Sequence, residues 1–200
     1  MIARIYVLPK DKDSRERLFL KSWSNLGLSG KLSKISVCDG YVLDSDFKEE
    51  QLKKAAEILT NPILEKSAVN QIPADLTKYK YILEIGFLPG VTDNAGHTAK
   101  ESIADFFRLA PEANLKIYSS KIFLLSGTVK IESVKKIAAS LYNPLIERAH
   151  IFEIKEMAGN ASLPLIAPEV ILEKKTPVIN VPILEASEEE LIKIGQEGIL

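Results

Sequence analysis

Apolar and polar positions alternate along several short stretches of the chain, and between them apolar residues recur every three to four positions. Residues 2–8 and 79–88 are rich in β-branched and aromatic residues and run into Pro9 and Pro89, which predicts two strands. Asp11 to Ser14 opens a helical stretch in which Leu18, Phe19, Trp23 and Leu26 fall on one face. Thr92-Asp93-Asn94 opens a second, with Ile103, Phe106, Phe107 and Leu109 inward and Gly27 and Pro111 as the respective stops. Paired apolar runs follow, 33–38 with 41–44 and 115–118 with 121–125. Asp39-Gly40 predicts a two-residue hairpin in the first pair, and Ser119-Ser120 takes that place in the second. Further helices are predicted over about 48–59 and 131–141, with Asp46 and Thr128 as caps. An Asn-Pro pair ends each, because the residue before proline is pushed out of the α region. Strands over 65–71 and 148–154 complete the pattern.

The pattern occurs twice. Thr60-Asn-Pro-Ile-Leu-Glu-Lys66 returns 82 residues later as Tyr142-Asn-Pro-Leu-Ile-Glu-Arg148. The same offset sets Tyr41-Val-Leu43 over Phe123-Leu-Leu125, and an offset of 80 sets Leu8-Pro9 over Leu88-Pro89, so one two-residue gap reconciles the registers. The expected class is α+β: two tandem β-α-β-β-α-β repeats, ferredoxin-like in outline, over 1–72 and 79–155. One such unit leaves a sheet face bare, so the two are expected to form a pseudo-twofold pair, either stacked or joined edge to edge. Residues 156–200 read differently. Pro164, Pro168, Pro177 and Pro182 punctuate an extended connector whose apolar residues suit a surface. Ser187-Glu-Glu-Glu-Leu191 then starts a short helix that Gly198 would stop. Such a tail is expected to lead into a further body beyond Leu200.

Composition narrows the classes. The chain has 200 residues, 46% of them apolar and 26% charged, with a net charge of −1, so no overall field draws in nucleic acid or an anionic membrane. Aromatics at 7% are too sparse for a base-stacking surface. A single cysteine, Cys38, allows no internal disulfide and fits a reducing, cytoplasmic location. No apolar run is long enough for a membrane helix, and the first residues lack a signal-peptide pattern.

Chemistry-bearing residues are few. His97 and His150 have no partner at metal-ligand spacing, Cys38 has no activating cation nearby in sequence, and Trp23 falls on a core face. Phosphate-loop, dinucleotide and nucleophile-elbow motifs are absent. No catalytic residue and no metal ligand is therefore assigned. The densest candidate is Leu88-Pro-Gly-Val-Thr-Asp-Asn-Ala-Gly-His-Thr98, where a strand turns into a helix. Gly90, Thr92, Asp93, Asn94, Gly96 and His97 form its exposed turn, as a plain turn, as an interface, or as an anion site on the helix-start amides.

These motifs together resemble PurS, the small accessory subunit of phosphoribosylformylglycinamidine (FGAM) synthase. The two Asn-Pro-x-x-Glu endings, the Pro89-Gly-Val-Thr-Asp93 run and the acidic helix start at Ser187 carry the resemblance across nearly the whole chain. The resemblance implies a duplicated, PurS-like N-terminal module of a synthase that converts formylglycinamide ribonucleotide, glutamine and ATP to the amidine in purine biosynthesis. It implies a non-catalytic assembly role, bridging the synthetase body and the glutaminase. ATP and Mg²⁺ would belong to the full enzyme, an ATP-dependent ligase, and this piece would hold no cofactor and be inactive alone. The first repeat departs from the pattern, with Pro9-Lys-Asp-Lys12 in place of Pro89-Gly-Val-Thr92. A second class, a regulatory module sensing a small effector between paired ferredoxin-like units, is also compatible with the fold.

Overall fold

A computed structural model describes residues 1–11, 13–28, 30–157, 162–168, 183–184 and 186–197. The expected Pro177, Pro182 and Gly198 lie outside them. One compact unit spans Met1–Glu169 and a second spans Val170–Leu200.

The first unit is α+β. Its strands are β1 (Ile2–Pro9), β2 (Leu32–Ser45), β3 (Glu65–Val69), β4 (Tyr81–Phe87), β5 (Leu115–Gly127) and β6 (Glu147–Glu153). They form a single antiparallel sheet in the order β3-β1-β2-β5-β4-β6. Its helices are α1 (Ser14–Trp23), α2 (Glu49–Ile58), α3 (Asn94–Phe107) and α4 (Ile131–Leu141). The two halves of the chain thus join edge to edge through β2 and β5, whose ladder runs from Leu32–Gly127 to Ser45–Leu115.

Period-two alternation sorts the strand residues onto two faces. On one face lie the odd-numbered residues, and all four helices cover it. Trp23 of α1 and Val134, Ile137 and Ala138 of α4 pack on Ile35, Val37, Leu83 and Phe123. Leu52, Ala55 and Ala56 of α2 and Ala99 and Ile103 of α3 pack on Ala3, Ile5, Val7, Leu115 and Ile117. Trp23, Phe19 and Phe123 form an aromatic cluster with centroids 5.1–6.0 Å apart. The even-numbered face buries Tyr6, Leu8, Cys38, Ile82, Ile122 and Leu124 beneath Ile72 and Leu163. The connector between β3 and β4 and the stretch 162–168 therefore cover the second face, so the first part of the proline-rich tail lies on the sheet.

Several expectations change. Asp39-Gly40 and Ser119-Ser120 are not hairpins. Asp39 and Gly40 pair with Val7 and Tyr6 on one side and with Lys121 and Ser120 on the other, so β2 and β5 each run unbroken and each half reads β-α-β-α-β. Pairing on both edges outweighs the local turn propensity, and Gly40 is needed for another reason. A Cβ there would stand 2.7 Å from Ser120 Oγ and 2.8 Å from Ile122 Cδ1. The caps of α2 and α4 are Lys48 and Lys130, not Asp46 and Thr128. At α2 the Gln51 side chain accepts the Lys48 N–H at 3.0 Å. Helix α3 ends at a left-handed Arg108 (φ 50°), ahead of Pro111. Leu18, Leu26 and Phe106, expected inward, are exposed. The ladder also shifts the first-strand register. Phe87 faces Glu147 as Pro9 faces Glu65, so Phe87 and not Pro89 holds the place of Pro9.

The second unit contains α5 (Glu188–Glu197), which begins as its sequence predicts. Ser187 Oγ accepts the Glu190 N–H at 3.4 Å, and Glu190 Oε2 accepts the Ser187 N–H at 2.8 Å. The second contact holds the Glu190 carboxyl below its usual range, with the Ser187 hydroxyl adding to it.

Candidate functional site

The turn from Phe87 to the α3 cap Asp93 is two residues longer than the matching stretch from Pro9 to the α1 cap Asp13. Gly90 supplies the left-handed conformation this longer turn needs (φ 83°). Asp93 then fastens it to the sheet. Its Oδ1 accepts the Gly96 N–H and the Ser119 hydroxyl, both at 2.7 Å, and its Oδ2 accepts the Ser119 N–H at 2.5 Å. Gly96 is structural. A Cβ on it would sit 2.6 Å from Asp93 Oδ2 and 2.7 Å from the Ile117 carbonyl oxygen, so only glycine lets α3 lie this close to β5.

One amide at the start of α3, that of Gly96, thus already has a carboxylate acceptor in Asp93. Gly90, Thr92, Asn94 and His97 are exposed, and Asp93 is half-buried. His97 Nε2 lies 3.2 Å from Glu101 Oε1 one turn along the helix. Beside the turn lies the second Asn-Pro loop, since the Leu88 N–H donates to the Ile146 carbonyl at 2.9 Å. The first Asn-Pro loop has the same neighbour in the first half, where the Lys10 N–H donates to the Leu64 carbonyl at 2.9 Å.

Both loops are held by the same side chains. Asn61 Oδ1 accepts the Ile63 N–H at 3.0 Å, and Glu65 Oε2 reaches back to the Asn61 N–H at 2.9 Å. Asn143 Oδ1 accepts the Leu145 N–H at 3.1 Å, and Glu147 Oε2 reaches the Asn143 N–H at 2.8 Å. The fixed backbone turns two apolar side chains outward in each case. Ile63 is 81% exposed and Leu145 83%, with Leu64 and Ile146 beside them.

A second candidate lies on the even-numbered face and was not read from the sequence. Arg4 of β1 and Glu84 of β4 reach across the two central strands to form an ion pair at 2.9 Å, with side chains 2% and 5% exposed. Arg4 Nη2 donates to the Pro164 carbonyl at 3.0 Å, while Arg4 Nε is buried with no hydrogen-bond partner. Tyr6 beside it accepts the Leu163 N–H at 2.9 Å and shares a 3.2 Å contact with Ser162 Oγ. Burial pushes the Tyr6 hydroxyl above its ordinary range, against the lowering effect of the Ser162 contact and of Arg4. The signal was available, because Arg4 and Glu84 are charges inside otherwise apolar strands. Sheet order was the missing piece, since nothing in the sequence brings β1 and β4 to facing sides of one seam.

The remaining candidates are quieter. Cys38 is buried, and burial together with the Asp39 charge pushes its thiol far above the ordinary range, so it is a poor nucleophile. Among the described residues no group of three or more His, Cys, Asp or Glu could hold a metal ion, and no helix is long and apolar enough to cross a membrane. A scan against family models finds no match to this chain, and a search of the curated proteins finds no similar sequence.

Proposed function

We propose that the chain is an internally duplicated, PurS-like assembly module of FGAM synthase, which bridges a synthetase body and a glutaminase. Under this reading the two β-α-β-α-β halves are copies of one unit, related by a pseudo-twofold axis through the β2–β5 seam. The observation that carries it is the pair of matching loops that display Ile63-Leu64 and Leu145-Ile146 to solvent. Side-chain hydrogen bonds hold both loops in place, so the display belongs to the fold and is not a fray. Rigid apolar anchors surrounded by polar groups are what a protein partner uses. Around the second loop the exposed Gly90, Thr92, Asn94 and His97 would form its polar rim. ATP, Mg²⁺ and the glutamine-cleaving thiol belong to the partners, and so does the chemistry. This chain contributes position. A cytoplasmic location is part of the same proposal.

The test is made in the full synthase. Asn94→Ala with His97→Ala should leave the melting temperature within a few degrees, since exposed substitutions cost about 0.5 kcal/mol or less. Glutamine-dependent turnover should fall more than ammonia-dependent turnover, because only the former needs the glutaminase seated. Equal loss with both nitrogen donors would refute the bridging role. A module that senses a small effector is the second reading, favoured by the cavity beside Arg4.

A further inference from the structure

The Arg4–Glu84 pair forms one wall of a cavity of about 410 Å³ on the even-numbered face. That volume lies within the range of small-molecule sites. Ile166 and Pro164 from the tail and Phe152 of β6 supply an apolar wall, while Arg148 and His150 of β6 stand along the strand opposite Glu84. Arg148 folds back over the sheet. Its Nη2 lies 3.5 Å from where a Gly86 side chain would begin, so the glycine makes room for the guanidinium.

The charges do not balance. Two guanidinium groups face one carboxylate. Nor are the hydrogen bonds complete. Arg4 is 2% exposed and Arg4 Nε has no acceptor, and Arg148 Nε is buried with none either. A buried donor left without an acceptor costs roughly 1–3 kcal/mol, more when charged. Both arginines line the cavity from different strands, and together they give it more guanidinium donors than the protein matches with acceptors.

We infer that this cavity binds a small organic oxyanion, carrying one net negative charge on a carboxylate or phosphate diester and an apolar body. The anionic oxygens take the free N–H groups of Arg4 and Arg148, a geometry guanidinium groups favour. The apolar body lies against Phe152, Pro164 and Ile166. Glu84 sets the charge limit, since it already neutralises one of the two arginines. It also sets the shape, because it holds Arg4 flat across the seam. The inference does not rest on the assembly role, and it is tested on this chain alone, without turnover.

The experiment is a titration of the ¹⁵N-labelled chain with butyrate in one arm and diethyl phosphate in the other, read at the arginine Nε–H resonances. Saturating shifts at Arg4 and Arg148 are expected in at least one arm, and the arm that saturates identifies the anion type. Butyramide, which has the same body without the charge, should give none. Arg148→Gln and Arg148→Ala should each weaken the saturating anion at least tenfold. Shifts that fail to saturate in both arms, that butyramide reproduces, or that persist unchanged in the Arg148 variants would overturn the inference.

Discussion

Arg4 and Glu84 are each about as buried as the leucines around them, and neither could be left alone there. The pair is expected to behave asymmetrically under substitution. Removing one partner strands a buried charge, so Glu84→Leu should destabilise by about 3–5 kcal/mol. Replacing both, as Arg4→Met with Glu84→Leu, should recover most of that loss, because the desolvation cost of both ions disappears with the pair. Urea midpoints of the wild type, Arg4→Met, Glu84→Leu and the double variant close the cycle. A double variant as unstable as Glu84→Leu would show that the pair, and not the burial of a lone charge, sustains this face.

Among the elements, the Asn-Pro loops show why a motif recurs. Asparagine satisfies the loop amides, proline prevents the helix from running on, and glutamate closes the turn from the first residue of the next strand. Asn61→Ala and Asn143→Ala should therefore each cost about 1 kcal/mol, by comparison with side-chain caps of helices. In thermal melts the double variant should lose the sum of the two within about 0.5 kcal/mol, as independent sites do. Such local devices are what the sequence displayed well. The α+β class, the five helices and the strand after each Asn-Pro turn were legible because period and punctuation agree there. The long strands were not. Asp39-Gly40 has ideal turn chemistry, and only partners from β1 and β5, far away in sequence, straighten it. The outward Leu18 and Phe106 fail for a related reason, since helical spacing names a face but not its width. The turn at 89–97 was found from its glycines, but the reason for Gly96 lies in the Ile117 carbonyl of β5.

At the scale of the whole molecule, the seam decides which halves belong together. Lys121 of β5 pairs with Asp39 of β2 at the middle of the ladder, and Arg15 lies 3.7 Å from the same carboxylate. If two first halves joined through β2 in this register, Asp39 would stand against Asp39. Like charges directly opposed disfavour that pairing. Separately produced chains 1–75 and 76–200 should accordingly form a mixed dimer when combined, while 1–75 alone stays monomeric in sedimentation. Asp39→Asn should let 1–75 pair with itself, and self-pairing without the substitution would count against the charge guard. The same aspartate matters during synthesis. At translation rates of roughly 5–20 residues per second, on the order of ten seconds separate the emergence of Ser45 from that of Gly127. For that interval β2 presents a long bare edge with no β5 to meet it, and a neighbouring nascent chain offers the same edge. One carboxylate at its centre is then a timekeeper's safeguard, holding the strand unmatched until its own partner leaves the ribosome.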